Sequence, residues 1–511
     1  MKTTSNTATS KFAFSRPVLW LILVGVSGIP RIVGALFLPN AFGDAYVYIR
    51  DIGVFSAKLN DASFGLIDLY GFWLPLYQLI SAVVNLAVGN AFYSGKLVSA
   101  VFGIGVCVLV YFLTLRLAAD QTAAFLGFLL IALNPLHIFN SASALTDVPH
   151  AFFVLACLYF VLRDKWMLAG LLGALAGLTR MESWMLLLLI PAIQFIKERR
   201  ISVPTIVILL IPPVLWLFVS RLATGSAFAT FSAREQYHDW LLNANPTLAG
   251  FSLPGVIKDT LSLITATDLV VLVAACFAGW RVFRRPGHLF SRKNKEDLSL
   301  VAPLIFFFAF LAVLLVAYIS RQQPIIFPRY GLILFSLGIP ILAQSFLELR
   351  RDQREKARRV FTWIVALCVL NAAVQVVGVA GTVNQYSAQR SIADYLRTHF
   401  DPNGDKRIFC DDGTVIALSG IPRDKFFSST DAPQSAEGFL DFIEDKNVQY
   451  LVVVPREGSL AAVFSGPDFA DSIGNFDFVT NAKTRFLPLD IRVYQRNNVQ
   501  RKTQGATPLN R

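Results

Sequence analysis

The stretch 73–90, "WLPLYQLISAVVNLAVGN", is apolar enough to pass for a membrane span, and its placement decides the topology of the chain. Around it run the apolar stretches 17–38, 95–117, 121–140, 148–163, 166–179, 183–197, 203–222, 263–283, 298–319, 329–347 and 359–381. Crossing a hydrocarbon core about 30 Å thick takes roughly 20 such residues in a helix. Two loops between the runs are strongly basic: one carries Arg281, Arg284, Arg285, Arg292, Lys293 and Lys295, the other Arg350, Arg351, Arg354, Lys356, Arg358 and Arg359. Smaller clusters are Lys11/Arg16, Arg163/Lys165 and Lys197/Arg199/Arg200. If 73–90 spans, the N-terminus and all later clusters fall on opposite sides. If it lies at the surface, every cluster is cytoplasmic, as the positive-inside rule demands. We therefore read 73–90 as a juxtamembrane or re-entrant segment, with Tyr70, Trp73, Pro75 and Tyr77 suited to the interface, and about eleven spans remain.

Composition agrees with a polytopic α-helical membrane protein. Of 511 residues, 55% are hydrophobic and only 16% charged, with 43 Phe; soluble domains carry about 25% charged residues. The formal charge of +12 sits in short loops between apolar runs, where it orients helices, so no nucleic-acid partner is expected. The first run is too long for a signal-peptide core and no small-residue cleavage site follows it, so it reads as a retained span. Cys107, Cys157, Cys276 and Cys368 lie in apolar runs and Cys410 alone in a polar region, which gives no disulfide framework.

This topology places Asp44, the turn 140–147, Arg180, the loops 223–262 and 320–328 and everything beyond about 382 on the outer face. The expected domains are a transmembrane domain 1–381 with juxtamembrane helices in an outer loop at 39–94, a small outer α/β domain 382–496 and a polar tail 497–511. In the outer domain, "SAQRSIADYLRTHF" reads as an amphipathic helix capped by Ser387. "KRIFCDD" and "VQYLVVV" read as buried strands, "SAEGFLDFIEDKN" as a helix between them, and "RFLPLDIRVYQR" as a closing strand. The adjacent Asp411 and Asp412 fit a strand-end turn better than a metal site.

Ionisable groups at membrane depth or at its boundary are costly and mark candidate sites. Asp44 follows the first span; the alternative is an ordinary interfacial acid or helix cap. Asp147 in "NSASALTDVPHAFF" sits where the chain re-enters the membrane, and there Thr146 or Asp147 can equally be a cap with Pro149 in the first turn. His150 beside it reads as a satisfied interfacial histidine or a supporting site group. Arg180 and Glu182 in "GLTRMESW" stand at i, i+2, which on a helix do not face each other, so each is expected to meet a different neighbour. "RQQPIIFPRYG" adds Arg321, Arg329 and Tyr330 at the outer mouth of a span. Acids can act as general bases on a hydroxyl, and arginines recognise phosphate through forked hydrogen bonds.

The ordered set "GDAYVYI", "LYGFWLPLYQLISAVVNLAVGNAFYSGKLVSAVFG", "LNPLHIFNSASALTDVPHAFFVLACLYF", "GALAGLTRMESWMLLLLIP" and "FPRYGLILFSLGIPILAQ" resembles the GT-C superfamily of membrane glycosyltransferases over residues 15–381. It is most similar to glycosyltransferase family 39, the protein O-mannosyltransferases and the lipid A aminoarabinose transferases. The resemblance implies an inverting transferase that moves a sugar from a polyprenyl-phosphate donor to an acceptor hydroxyl of a protein, lipid or glycan at the outer face. By position, Asp44 is implied as the catalytic base and Asp147 as the acid beside it, with Arg180, Arg329 and Tyr330 on the donor phosphate side. Glu182, His150 and Arg321 are supporting candidates. The resemblance also implies a bacterial cytoplasmic membrane, with site and C-terminal domain facing the periplasm or exterior. No "WWDYG" block is present, unlike N-glycosylation oligosaccharyltransferases, and without an Asp-x-Asp in the outer loops no divalent metal is implied. "FSAREQYHDWLLNANPTLAGF" matches nothing diagnostic; its Glu235, His238 and Asp239 either meet the acceptor or are solvated.

The competing reading is a polytopic transporter or flippase of lipid-linked sugars. Transporters show internal repeats and broken spans near the midplane, whereas this chain shows no repeat and gathers its charges at one face. A scaffold protein would leave the polar set unexplained.

Overall fold

A computed structural model describes residues 15–244, 250–284, 295–429, 431–433, 435–454, 472–484 and 489–497. The basic loop 285–294 and the tail beyond 497 lie outside the described residues. The chain separates into two compact units, one of residues 1–238 and 248–380, the other of 239–247 and 381–511.

The first unit is helical. Among the described residues six helices are long and apolar enough to cross a membrane: Arg16–Phe37, Ala91–Ala118, Val203–Thr224, Leu300–Ile319, Pro328–Asp352 and Arg354–His399. Two bent pairs, Gln121–Ala132 with Pro135–Ser141 and Leu253–Thr267 with Leu269–Phe283, bring the number to eight if each counts as one span. The expected runs 121–140 and 263–283 are therefore not straight helices; they bend by 63° and 84°. The first break sits at Asn134–Pro135, where proline has no N–H to continue the ladder. The second sits at Asp268, whose φ of +69° no regular helix accommodates. Part of the gap to eleven spans lies in short apolar helices such as Asp147–Val161 and Trp166–Thr179, of 15 and 14 residues. At 1.5 Å per residue these reach only about 21–23 Å. Segment 73–90 contains the 13-residue helix Leu76–Val88, far short of a span.

Close packing rests on small residues, which let backbones approach where lipid offers no hydrophobic drive. Gly170, Gly173 and Gly177 set helix Trp166–Thr179 against Thr205, Leu209 and Pro212 of Val203–Thr224, and a Cβ on Gly173 would come within 2.8 Å of Leu209. Each break frees backbone groups that must find partners in an apolar setting. Residues of helix Arg354–His399 supply them: the Gln375 side chain accepts from the Leu136 N–H (3.2 Å) and donates to the Thr265 carbonyl (2.8 Å). Asn371 donates to the same carbonyl and to Asp268 (3.2 Å), which itself caps Leu269–Phe283 through the Val270 N–H. One helix thus ties both bends together.

That helix runs unbroken for 46 residues. The expected start at Ser387 is absent, because nothing between Gly381 and Ser387 interrupts the i to i−4 ladder. The Ser387 hydroxyl instead bonds the Asn384 carbonyl, one turn back. In the second unit six strands, β1 Arg407–Cys410, β2 Phe426–Phe427, β3 Val448–Val453, β4 Ser472–Ile473, β5 Phe476–Lys483 and β6 Asp490–Arg496, are ordered β2-β1-β3-β6-β5-β4. The first three in that order are parallel and the rest antiparallel. Alternation sends Ile408, Tyr450, Val452, Ile491 and Val493 to one face, under Ile392 and Leu396, and Phe409, Leu451, Val453 and Tyr494 to the other, under Phe439 and Ile443. Helix Ala436–Asp445 and strands β1, β3 and β6 match the expectations; the β2 edge and the β4–β5 hairpin are additions. Asp412 caps helix Gly413–Ser419 and Asp411 accepts from the Ser429 N–H, the strand-end role expected of them.

Candidate active site

Asp44 opens helix Asp44–Asn60, placed in the first turn where an acid complements the helix dipole. Its carboxylate accepts a hydrogen bond from the Arg329 guanidinium at 2.7 Å. Arg329 and Tyr330 lie on the short 3-10 turn Pro328–Gly331 that starts a span. That turn packs directly on the 253–283 bend: a Cβ on Gly331 would stand 2.5 Å from Ala266 and 2.9 Å from the Thr267 hydroxyl, so glycine is required for the approach.

Asp147 is the first residue of helix Asp147–Val161. Its carboxylate takes a 2.7 Å hydrogen bond from Arg180, and Thr146 makes no side-chain cap bond. Arg180 also pairs with Glu182 at 2.8 Å. The expectation that positions 180 and 182 meet different neighbours fails, because it assumed a helix. Arg180 is extended (φ −146°, ψ 139°) between a helix end and the 3-10 turn Met181–Met185, which lets its guanidinium fork between two acids. Burial alone would raise the Glu182 carboxyl, but the Arg180 charge more than offsets this and holds it at about 2.

The Asp147–Arg180 pair and Arg329 line one cleft, and Asp44 is joined to it through its hydrogen bond from Arg329. Asp147, His150, Arg180, Glu182, Arg329 and Tyr330 line a space of about 640 Å³, closed on its apolar side by Phe310 and Leu314. The Tyr330 ring lies between both arginines, 5.6 Å from the Arg180 guanidinium and 5.3 Å from that of Arg329. Arg329 stands within electrostatic reach of Asp147 as well as Asp44, and its guanidinium also covers Phe42 and Phe327. Asp147 and Arg329 are nearly buried, whereas the Asp44 side chain keeps 37% exposure, so of the two acids Asp44 is the one open to an incoming molecule. His150 bonds the Ser183 hydroxyl at 2.7 Å and sets its ring edge-on to Phe310.

Arg321 is not brought to the cleft. It stacks on Phe251 at 4.0 Å and donates to the Gly250 carbonyl, while His238 donates to the Arg321 carbonyl. Gln323 lines the cleft in its place. Sequence reasoning also missed Tyr48 and Arg234. Tyr48 lies at i+4 from Asp44, hence on the same helix face, and its hydroxyl reaches Thr146 at 3.4 Å, next to Asp147. That spacing was available in "GDAYVYI". Burial pushes its phenol above the ordinary value of 10. Arg234 covers Phe72 and Trp73 and lies in reach of the Glu182 charge, and no motif announced it.

Comparisons with known proteins agree with this architecture. Residues 69–195 match the family model described as dolichyl-phosphate-mannose-protein mannosyltransferase. Among solved structures, ArnT from Cupriavidus metallidurans bound to undecaprenyl phosphate is similar with a TM-score of 0.56 at 13% identity, covering 94% of this chain and 98% of that one. The same protein in the apo state gives 0.57 at 14% identity with the same coverage. The Archaeoglobus fulgidus oligosaccharyltransferase tethered to an acceptor peptide gives 0.50 at 11%, covering 85% of this chain and 69% of that one. Among curated proteins none matches the chain in sequence. With membrane-crossing helices, a segment matching the protein mannosyltransferases and these structural neighbours, the chain has the GT-C fold of the membrane glycosyltransferases.

Proposed function

We propose that the chain is an inverting glycosyltransferase that moves a sugar from a polyprenyl-phosphate donor to an acceptor hydroxyl at the outer face of a cytoplasmic membrane. The observation that carries this reading is the meeting of two acid–arginine pairs, Asp44–Arg329 and Asp147–Arg180, about Tyr330, with both arginines lining one cleft. Undecaprenyl phosphate in the ArnT structure supports the donor class.

In the proposed step, Asp44 takes the proton of the acceptor hydroxyl as its oxygen bonds to the anomeric carbon. The bond from that carbon to the donor phosphate oxygen breaks, and its electron pair leaves with the polyprenyl phosphate. The departing group gains one negative charge, which Arg180 and Arg329 neutralise through charge-assisted hydrogen bonds. Asp147 and Glu182 hold the Arg180 guanidinium in place and keep it charged while the site is empty. No step runs through a divalent metal, so activity is expected to survive EDTA.

The test is the fate of a labelled polyprenyl-phosphate sugar incubated with the purified protein and membrane acceptors. Transfer releases free polyprenyl phosphate and labels an acceptor. A flippase leaves the donor intact, and that result would refute the proposal.

A further inference from the structure

Outside the charged cleft, the outer loop lines a second cavity of about 380 Å³, within the roughly 300–1,000 Å³ typical of small-molecule sites. Helix Asp44–Asn60 forms one wall, turning Val47, Arg50, Asp51 and Val54 toward it at i, i+3, i+4 and i+7. The turn that carries Tyr70, Phe72 and Trp73 forms the other wall, and Gln78 completes the lining.

Gln78 is 2% exposed, and its side-chain carbonyl oxygen has no hydrogen-bond donor among the described residues. Buried acceptors are almost always satisfied, and an O–H or N–H presented from the cavity would complete this one. The charges nearby are already compensated. Arg50 donates to Asp51 at 2.8 Å, while Asp68 pairs with Lys58 and accepts from the Gly65 N–H at 2.8 Å. A cation or an anion would therefore find no unbalanced partner. Aromatic rings, an orphaned acceptor and balanced charge together fit a neutral molecule with apolar faces and several hydroxyls, which is the chemistry of a carbohydrate.

The wall is shared with the cleft. The Trp73 ring lies 5.7 Å from that of Tyr48, whose hydroxyl reaches Thr146 beside Asp147. Arg234 covers both Phe72 and Trp73 and donates to the Phe72 carbonyl at 3.0 Å. A molecule held in the cavity is thus adjacent to the helix that carries Asp44.

We propose that this cavity is a binding subsite for a neutral carbohydrate, the non-reacting part of the acceptor. The role as acceptor subsite rests on the glycosyl-transfer reading; the ligand chemistry rests on the cavity itself. Full-length protein in nanodiscs is titrated with mannobiose, cellobiose and chitobiose, reading binding by saturation-transfer NMR. At least one disaccharide is expected to bind. Binding is expected to be lost in Gln78→Leu and in Trp73→Ala and retained in Asp44→Asn and Arg180→Ala, with undecaprenyl phosphate binding by Gln78→Leu as the folding control. The inference is overturned if no disaccharide binds, if binding survives both cavity variants, or if serine-containing peptides bind there in place of sugars. Disaccharide binding without donor turnover would count against the transferase reading alone, and turnover without disaccharide binding against this inference alone.

Discussion

Asp44 and Asp147 are chemically the same group in different settings, and the setting assigns their roles. Asp44 is partly exposed and held by one arginine, while Asp147 is nearly buried under a guanidinium shared with Glu182. Asp44→Asn is expected to lower the transfer rate by about 10²–10⁴-fold, as removal of a general base does, with membrane abundance unchanged on immunoblots. Asp147→Asn is expected to act through donor affinity, because Arg180 then loses its buried counter-charge and turns toward Glu182; a raised donor KM with lesser change in kcat checks this. Glu182 sits far below its usual 4.5, so its ionised form is the one the fold favours. Its contribution to stability is fully present above about pH 4.5 and falls away as pH drops toward 2. Glu182→Gln should therefore change the rate by the same factor at pH 5 and pH 8, and its melting-temperature deficit should narrow below about pH 4.5. A rate ratio that varies between pH 5 and 8 would contradict the assignment. These residues were legible in the sequence because charge at a membrane boundary is rare and costly. The Arg180–Glu182 contact was not, because no glycine or proline in "LTRMES" marks the extended residue that makes it possible.

At the level of elements, the site is built on breaks. The bend at Asn134–Pro135 leads into the turn that presents Asp147, and the bend at Asp268 supports the turn that presents Arg329. Gln375 spans the two. Gln375→Leu strands the Leu136 N–H in an apolar setting, at about 1–3 kcal/mol, leaves the Thr265 carbonyl to Asn371 alone, and is expected to lower the melting temperature and the rate together, measured on the same detergent preparation. Gly331→Ala forces a Cβ against Ala266 and Thr267 and shifts Arg329 and Tyr330. Small displacements of positioning groups can cost about 10²-fold, so a loss of that order with normal expression is expected; an unimpaired Gly331→Ala enzyme would show that this approach does not position the site. Pro135 was visible as a breaker, yet the run around it is apolar throughout and reads as one span. At Asp268 no glycine or proline marks the break; the residue takes a φ of +69° and caps the next helix through the Val270 N–H. The C-terminal strands β1 and β3 were readable as short apolar runs of the buried type, but the two-residue strands β2 and β4 are too short to show any pattern.

For the whole molecule, the positive-inside pattern placed Asp44, Asp147, Arg180 and Arg329 on one face, and the structure brings Asp147, Arg180 and Arg329 into one cleft with Asp44 paired to Arg329. The apolar runs gave about eleven spans where the described helices give six to eight, because helices such as Trp166–Thr179 are apolar but too short to cross by themselves. Arg321 shows the limit of such reasoning: it was placed on the correct loop, but an aromatic pair holds it elsewhere. The most direct measurement is release of free polyprenyl phosphate from a polyprenyl-phosphate sugar at saturating donor, comparing the wild-type protein with Asp44→Asn at equal donor occupancy. The account requires release by the wild type and its loss in the variant despite bound donor. Release at the wild-type rate by Asp44→Asn, or intact donor after prolonged incubation with the wild type, would contradict it.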